Sequence, residues 1–267
     1  MIKDEEFWRI VTFLKQRYGI DMSQKKVIMN GRLENYLRRG GWSNFDAFMN
    51  DVEKDSTGEL EKKLVNFLTT NHTYFMREFE HFEFFKREVL PWIMKKEQRT
   101  KDMRIWCGAA SSGEEPYMIA MVIRDYLGID YSNWDARILA TDISTRALSK
   151  ALAGVYNEEH MHEMPVNWRR HFFKETANGN YVVKEELKQG VIFRKFNLME
   201  SFPFKRKLHT VFLRNVMIYF DEQTKRELVQ KVYDSLEPGG YLFIGMTETM
   251  DKGATPFQLI QPSIFRK

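Results

Sequence analysis

The sequence predicts an α/β fold in which a doubly wound, mostly parallel sheet is preceded by an all-helical N-terminal domain. Two observations indicate this organisation. In about the first 80 residues, apolar side chains recur at helical spacing, whereas from residue 103 onward short apolar runs alternate with helical stretches. Such alternation is typical of a parallel sheet that is covered by helices. We therefore expect a helical domain over residues 1–80 and an α/β domain over residues 81–267.

Three apolar stripes predict helices in the N-terminal domain. The first covers residues 7–18 and is followed by Gly19 as a stop signal, and the third covers residues 60–68. Between them, Ser43 and Asp46 have the spacing of a capping box, which predicts that the second helix begins there. We expect these stripes to form the core of the domain.

Five apolar runs predict the main strands of the α/β domain, and two more strand candidates flank Pro262. Residues 156–190 interrupt the alternation, because this stretch is polar and contains the turn sequence Asn178-Gly179-Asn180 before Tyr181-Val182-Val183. It predicts a small β-containing insertion. The five runs cover residues 103–107, 137–141, 191–196, 210–213 and 241–245.

Composition excludes several classes of protein. The single cysteine, Cys107, excludes an intrachain disulfide and a zinc site built from cysteines. No stretch approaches the ~20 apolar residues of a membrane-spanning helix, and the first residues lack the order of a secretion signal. His160 and His162 have no convincing further ligands, so no metal is expected. We expect a monomer in the cytoplasm, without membrane insertion.

A short basic segment carries a charge excess equal to that of the whole chain. The net charge is +4, and residues 24–39 contain five basic residues and one acid, Glu34. The segment is either a docking surface for an acidic partner or a solvated helix face, and the sequence leaves both open. Its basic residues are Lys25, Lys26, Arg32, Arg38 and Arg39.

A loop of small residues, 108–113, follows the first predicted strand of the α/β domain and leads through Glu114 and Glu115 into an apolar helix. In doubly wound sheets this layout lets a ligand approach the backbone closely. A phosphate-binding loop would continue with lysine, and the middle glycine of a dinucleotide loop is missing. Because two carboxylates repel a phosphate, we expect a cationic ligand, and S-adenosylmethionine carries a sulfonium and an ammonium group.

Asp142 ends the second strand of this sheet. An acid at this point can accept hydrogen bonds from both ribose hydroxyls of a nucleoside that lies across the strand ends. An aspartate there can also cap the next helix, a role that Ser144 could share. The small-residue loop upstream favours the ribose contact.

Four sequence blocks are distinctive when taken together. They are Asn71-His72-Thr73-Tyr74-Phe75-Met76-Arg77, Gly113-Glu114-Glu115-Pro116-Tyr117, Ala140-Thr141-Asp142-Ile143-Ser144 and Arg214-Asn215-Val216-Met217-Ile218-Tyr219-Phe220. With these blocks the chain resembles the chemotaxis receptor glutamate O-methyltransferases, the CheR family. The resemblance implies a class I methyltransferase that uses S-adenosylmethionine, releases S-adenosylhomocysteine and forms methyl esters on glutamate side chains of methyl-accepting chemotaxis receptors.

The resemblance also implies a set of cofactor contacts. One of Glu114 and Glu115, with Glu115 favoured, is implied to contact the cofactor, and Asp142 to hold its ribose. The family often has other residues where Met76 and Cys107 stand, so nothing is implied for these two. The remaining implied contacts are Asn71, Thr73 and Arg77 from the segment between the domains, and Asn197, Leu198, Asn215 and Val216 at the adenine and methionine ends.

Methyl transfer to glutamate needs no general base, because a free glutamate with a pKa of ~4.3 is already anionic at neutral pH. Alignment and removal of water should supply most of the rate. Arg77 and Tyr219 are the predicted catalytic groups, and both are expected to position the substrate carboxylate. Tyr219 could instead be a half-buried aromatic residue at a strand end.

Two other functions stay open. A nucleic-acid methyltransferase would suit the basic segment, although residues 215–218 lack the Asn-Pro-Pro-aromatic run that grips a base. A non-catalytic cofactor-binding module that signals through protein contacts is the third possibility. The expected partner is the cytoplasmic domain of a chemotaxis receptor, without nucleic acid, and the insertion could supply a second contact with it.

Overall fold

The computed structural model describes residues 1–250 and 255–267, which form a helical bundle followed by an α/β sheet. A π-helix at Phe85–Val89 and 3-10 helices at Gly128–Asn133 and Met217–Tyr219 supplement the α-helices. The α-helices are α1 (Asp4–Tyr18), α2 (Lys26–Gly40), α3 (Phe45–Lys54), α4 (Glu59–Leu68), α5 (Glu80–Phe84), α6 (Leu90–Lys96), α7 (Glu114–Leu127), α8 (Thr145–Ala153), α9 (Glu158–Met161), α10 (Val166–Phe172), α11 (Glu185–Lys188) and α12 (Glu222–Ser235). The strands are β1 (Ile105–Cys107), β2 (Ile138–Asp142), β3 (Val155–Tyr156), β4 (Phe173–Glu175), β5 (Tyr181–Val183), β6 (Val191–Lys195), β7 (Leu208–Leu213), β8 (Leu236–Ile244), β9 (Gln258–Gln261) and β10 (Ile264–Arg266).

The helical bundle, α1–α4, has a hydrophobic core of its own that extends to Leu68. Gly19 ends α1 in the left-handed conformation at φ 69°, as the sequence predicts. The predicted capping box at Ser43 is wrong, because α3 begins one residue later than that box requires. Asn44 is its cap and accepts a hydrogen bond from the Ala47 backbone N–H at 2.8 Å. The carboxylate of Asp46 instead accepts from Arg9 of α1 at 3.2 Å.

The main sheet has the strand order β6-β2-β1-β7-β8-β10-β9. Neighbouring strands from β6 to β8 are parallel, and β10 and β9 add an antiparallel edge. The predicted doubly wound, mostly parallel sheet is therefore confirmed. The chain moves outward from β1 through β2 to β6 and then returns to place β7 on the other side of β1. Ligands bind at such a reversal, beyond the carboxyl ends of the strands.

The predicted insertion forms a separate small sheet of three antiparallel strands in the order β3-β5-β4. Gly179 adopts φ 72° in the turn that joins β4 to β5, which explains the Asn-Gly-Asn sequence there. The ring of Phe75 packs edge-on against Tyr156 and Phe173, with ring centroids 4.8 and 5.3 Å apart. The insertion is thus packed against the segment that leaves the helical bundle.

The helical bundle contacts the carboxyl-end side of the main sheet. Ile20 forms an isolated antiparallel bridge with Phe220, and the backbone N–H of Asp21 donates to the carbonyl of Tyr219 at 2.8 Å. The predicted domain boundary at residue 80 stays a prediction, since the bundle core ends at Leu68 and α5 begins only at residue 80. Within residues 1–250 and 255–267, none of the helices combines the length and the apolar character needed to cross a membrane.

A buried charged network lies at the amino ends of β1 and β7, at the opposite end of the strands from the contacts with the helical bundle. One carboxylate oxygen of Glu97 lies 3.0 Å from Arg104 Nη2 and 2.9 Å from His209 Nε2. Burial raises the pKa of Glu97, but hydrogen bonds from Thr100, His209 and Arg104 outweigh it and lower the pKa to about 2. The network therefore holds an ionised carboxylate in a largely buried position.

Glu97→Gln should lower the free energy of unfolding at pH 7 by about 2 kcal/mol, because Arg104 then loses a buried ionic partner. The folded-state pKa of about 2 lies below the ordinary value of 4.5. The stabilisation is therefore fully present above about pH 4.5 and is lost as the pH falls toward 2. Urea unfolding at pH 7 and pH 3.5 should show a smaller difference between variant and wild type at the lower pH.

Glu88→Gln is the matched control, because Glu88 is half-exposed and pairs with the adjacent Arg87 at 2.9 Å. Exposed ion pairs contribute little, so a change below about 0.5 kcal/mol is expected. Equal destabilisation by Glu97→Gln at both pH values would contradict the assignment.

Candidate active site

A cavity of about 310 Å³ lies at the reversal of strand order, beyond the carboxyl ends of β1, β2, β6 and β7. Its other walls come from residues 68–77 and from the end of α1, where Tyr18 and Ile20 line it. The volume falls within the ~300–1,000 Å³ range of small-molecule sites. The helical bundle and the sheet thus build one site together.

Asp142 stands at the end of β2 with both carboxylate oxygens anchored. Its Oδ2 accepts from the Ser111 backbone N–H at 2.8 Å and its Oδ1 from the Ser144 N–H at 2.7 Å. Burial raises the pKa of Asp142, and these hydrogen bonds oppose that shift. Each oxygen keeps a further lone pair with which it can accept a hydroxyl. Capping of α8 is done by Ser144, whose hydroxyl accepts from the Ala147 N–H at 3.2 Å, so Asp142 is free to face the cavity.

The two acids that open α7 have different surroundings. Glu115 lines the cavity, forms an ion pair with Arg214 and accepts from the Cys107 thiol at 3.2 Å. Glu114 is fully buried away from the cavity, where it accepts from Ser112 Oγ at 2.8 Å and contacts His160 Nδ1 at 2.7 Å. Successive helical residues point about 100° apart, so the two carboxylates cannot face the same ligand.

The charge argument made from the loop sequence is therefore wrong in its details. Glu114 does not reach the cavity, and the charge of Glu115 is compensated by Arg214. Among the cavity-lining side chains that the structure describes, Asp142 and Glu115 carry formal negative charges and Arg77 and Arg214 formal positive charges, so the formal sum is zero. The loop contains no lysine, and Asp142 lines the cavity, so these two parts of the prediction remain valid.

The segment that leaves the helical bundle brings Asn71, Thr73 and Arg77 to the cavity wall. The carbonyl of Asn71 accepts from Ser111 Oγ at 3.2 Å, which joins this segment to the small-residue loop. Arg77 donates through Nη1 to the carbonyl of His72 at 3.1 Å. The three residues predicted from this segment thus line the same cavity.

Tyr219 lies in the 3-10 helix just beyond β7 and also lines the cavity. Its hydroxyl is 3.4 Å from the Thr70 carbonyl, and the ammonium of Lys25 lies 5.0 Å from the centroid of its ring. Tyr219 is half-buried and faces the cavity, and its catalytic role stays a prediction. The other predicted cavity residues that the structure places in the wall are Asn197, Leu198, Asn215 and Val216.

Sequence reasoning missed the groups that hold the end of β7 in place. Asn215 adopts φ 56°, and its backbone N–H donates to the buried carboxylate of Glu248 at 2.8 Å. Glu248 also accepts from the Gly245 N–H at 2.6 Å. A Cβ at Gly245 would lie 2.2 Å from Asn215 Nδ2, so glycine is required there. Arg214 belongs to one of the four distinctive blocks, and an arginine directly after a fully buried strand was a usable signal.

Known families match this architecture in two consecutive parts. The model of the CheR methyltransferase all-alpha domain matches residues 5–69, and that of the CheR methyltransferase SAM binding domain matches residues 71–265. The chain belongs to the CheR methyltransferase family. The cofactor of the family's second domain, S-adenosylmethionine, is therefore the cofactor of this chain.

Several curated relatives match over nearly their whole length. A chemotaxis protein methyltransferase of Borreliella burgdorferi is 38% identical and covers 100% of this chain and 95% of its own. That of Escherichia coli is 33% identical, with 99% and 91% coverage, and chemotaxis protein methyltransferase 1 of Pseudomonas aeruginosa is 32% identical, with 97% and 95% coverage. Similarity thus extends through both parts of the CheR chain.

The cavity fits S-adenosylmethionine by the chemistry of its walls. Asp142 offers carboxylate lone pairs at the strand end where a ribose lies in related sheets. The backbone turns left-handed at Ser111, φ 48°, which brings the small-residue loop close to the cavity. Apolar side chains, among them Phe196, Leu198 and Met118, supply surface for the uncharged part of the cofactor.

The basic segment of this CheR chain is partly used inside the molecule. Arg32 turns inward and donates to the Leu68 carbonyl and to Thr70 Oγ1, both at 3.0 Å. It therefore anchors α2 to residues 68–70, which line the cavity. The expectation that Arg32 is available for docking is wrong. Lys26 pairs with Asp4 of α1. Of the five predicted docking residues, Arg38 and Arg39 in the last turn of α2 are exposed, and the other three are half-buried.

His160 takes part in an acid–base contact. Its hydrogen bond with Glu114 raises the pKa of His160 above the ordinary value of 6.5, and burial opposes this. Within residues 1–250 and 255–267, no group of three or more His, Cys, Asp or Glu side chains is arranged to hold a metal ion. The contact instead joins the insertion to the first turn of α7.

Asp142→Asn should weaken binding of S-adenosylhomocysteine about 10- to 100-fold, because the amide replaces one acceptor oxygen and removes a charge-assisted hydrogen bond. Calorimetric titration measures the dissociation constant without any receptor. Asp130→Asn, a change in the exposed 3-10 helix, is the control and should leave affinity within about twofold. Equal affinity of wild type and Asp142→Asn would remove Asp142 from the site.

Proposed function

We propose that this protein transfers the methyl group of S-adenosylmethionine to glutamate side chains of methyl-accepting chemotaxis receptors in the cytoplasm, forming glutamyl methyl esters. One observation carries the proposal. A single cavity is lined by Asp142, a ribose acceptor, and by Arg77 and Tyr219, two groups able to hold a carboxylate. Relatives named chemotaxis protein methyltransferases, similar over both parts of the chain, support the receptor as the substrate.

The cofactor, when bound, supplies a methyl group on a positively charged sulfur. The residues of this chain then need to bring an anionic substrate carboxylate into line with it, and no proton has to be removed. Arg77 retains N–H donors beyond the one given to His72, and Tyr219 offers a hydroxyl. We assign positioning to both, because a bidentate grip would lower the nucleophilicity of the carboxylate.

The helical bundle assists by excluding water. Tyr18, Ile20 and Leu68 form an apolar wall over the carboxyl ends of the strands. A carboxylate that loses its hydration shell there is a stronger nucleophile toward carbon, and its interaction with nearby dipoles strengthens in the drier site. This supports a reaction that depends on alignment and desolvation.

The alternatives are less well supported. A nucleic-acid methyltransferase was suggested by the basic segment, but Arg32 of that segment is committed to the Leu68 carbonyl and Lys26 to Asp4. A non-catalytic module would not need Arg77 and Tyr219 together in the cavity wall.

We propose that the exposed end of α2 meets the acidic helical surface of a receptor. Arg38 and Arg39 supply the free charge, and Lys25, which lies over the Tyr219 ring, connects the start of α2 with the cavity. The insertion remains a candidate for a second receptor contact, and the monomeric state stays a prediction.

Incubation with methyl-labelled S-adenosylmethionine and receptor-containing membranes should place label on the receptor. Mild base should release that label as methanol, because esters hydrolyse under conditions that spare methylated bases. Parallel reactions with nucleic acid test the second function. Label that resists base, or that enters nucleic acid, would refute the proposal, and no label anywhere would favour the non-catalytic module.

Charge reversal of the docking surface, Arg38→Glu with Arg39→Glu, should raise KM for the receptor about tenfold and leave the affinity for S-adenosylhomocysteine unchanged. The KM of wild type should also rise with salt, since exposed charges are screened. Lys95→Glu with Arg99→Glu is the matched control, because both residues are exposed at the opposite end of the strands. Loss of cofactor affinity in the Arg38/Arg39 variant would show that these residues act on the site and not in docking.

A further inference from the structure

Glu78 directly follows Arg77 but does not line the cavity, and its side chain is only 13% exposed. Its backbone adopts φ 53°, in the left-handed region that costs a residue with a Cβ about 1–2 kcal/mol. Such a conformation persists only where its surroundings impose it. The strain therefore points to contacts that fix the side chain of Glu78.

Those contacts join three parts of the site. One oxygen, Oε2, accepts from Arg214 Nη2 and from the Met246 backbone N–H, both at 3.1 Å. The other, Oε1, accepts from Asn215 Nδ2 at 3.2 Å and lies 4.0 Å from Arg77 Nε. The carboxylate thus ties the segment that carries Arg77 to the carboxyl ends of β7 and β8.

The surrounding charges keep this carboxylate ionised. Burial raises the pKa of Glu78, but the charge of Arg214 and the hydrogen bonds from Asn215, Met246 and Arg214 outweigh it and lower the pKa. The neighbouring His81 lies 3.6 Å away, and burial together with Arg214 lowers its pKa to about 4. His81 is therefore neutral near pH 7 and adds no charge.

Arg77 depends on Glu78 at two points. Its guanidinium lies between the His72 carbonyl, 3.1 Å from Nη1, and the Glu78 carboxylate at Nε. Its own carbonyl accepts from Arg214 Nη2 at 2.6 Å, and Glu78 holds that same nitrogen. An arginine side chain has several rotatable bonds. The hydrogen bond to His72 and the charge of Glu78, 4.0 Å from Nε, restrict its orientation before substrate arrives.

We propose that Glu78 is a positioning residue for methyl transfer, which acts by orienting Arg77 and touches neither substrate nor cofactor. The inference rests on the proposed function, because its final readout is transfer to the receptor. It assigns a specific task to a carboxylate that the reaction itself does not use.

The test is a double-mutant cycle of Glu78→Gln with Arg77→Ala. In the wild-type background, Glu78→Gln should lower kcat about tenfold or more and weaken S-adenosylhomocysteine binding several-fold. The side-chain amide of the glutamine places its own N–H groups next to the N–H donors of Arg214 and Met246. These donors repel each other, so the orientation of Arg77 is lost. In the Arg77→Ala background the same change should lower kcat less than about twofold, since Glu78 acts through Arg77.

Thermal unfolding and calorimetry separate this role from simple support of the fold. Glu78→Asp keeps the charge and should recover part of the lost kcat. If Glu78→Gln does not fold, Glu78→Asp takes its place in the cycle. Glu83→Gln removes an exposed carboxylate from the adjacent α5 and should match wild type in every measurement. An equal loss of kcat in both backgrounds would overturn the proposal.

The two proposals fail in distinguishable ways. Wild-type protein that binds S-adenosylhomocysteine but labels no receptor would refute the proposed function. The titration would then still test Glu78, because Glu78→Gln with unaltered affinity and unaltered thermal stability would show that Glu78 does not organise the site.

Discussion

The buried guanidinium of Arg214 is the interaction on which the rest of the site depends. It directly follows the buried strand β7, is 5% exposed and bonds to Glu115 of α7, to Glu78 and to the carbonyl of Arg77. A charge in such a position is tolerated only when its partners are present, so each partner is held where Arg214 requires it. The sheet, the first turn of α7 and the segment from the helical bundle are thereby locked to one another.

Strained backbone is concentrated around the same cavity. Met76, Glu78, Ser111 and Asn215 adopt positive φ without being glycine, and each lies in or next to a segment that lines the site. These residues place loop backbone close to the ligand, and the hydrogen bonds of Asp142 and other buried acids offset the cost. The strained backbone thus lowers local stability, and it holds the site in shape before a ligand binds.

Much of the fold could be read from the sequence, because burial imposes regular patterns. The apolar runs that predicted β1, β2, β6, β7 and β8 correspond to strands that are mostly buried, and Gly19 ends α1 where a left-handed residue is needed. The cap of α3 was assigned to Ser43 instead of Asn44, since both residue types cap helices and only the geometry distinguishes them. Local sequence therefore gave the elements with an error of one residue at that helix start.

The site was predictable as a set of positions but not as a set of contacts. Nine of the ten predicted cofactor residues line the cavity, and the exception, Glu114, differs from Glu115 only in the direction in which the helix turns it. Arg32 looked available for docking, yet it donates to the Leu68 carbonyl and to Thr70 Oγ1, 36 and 38 residues away in the chain, which no local pattern reveals. The sequence gives only the number of charged residues, whereas the charge available to a partner depends on which of these residues are already paired in the structure.

The shared cavity also couples ligand occupancy to the mutual arrangement of the two parts of the chain. Tyr18 and Leu68 line it from the bundle, and Asp142 and Asn215 line it from the sheet, so a bound molecule bridges them. By mass action, a ligand at 100 times its dissociation constant stabilises that bridged state by about 2.7 kcal/mol. A molecule that contacts both walls therefore stabilises the arrangement of the bundle relative to the sheet as well as filling the site.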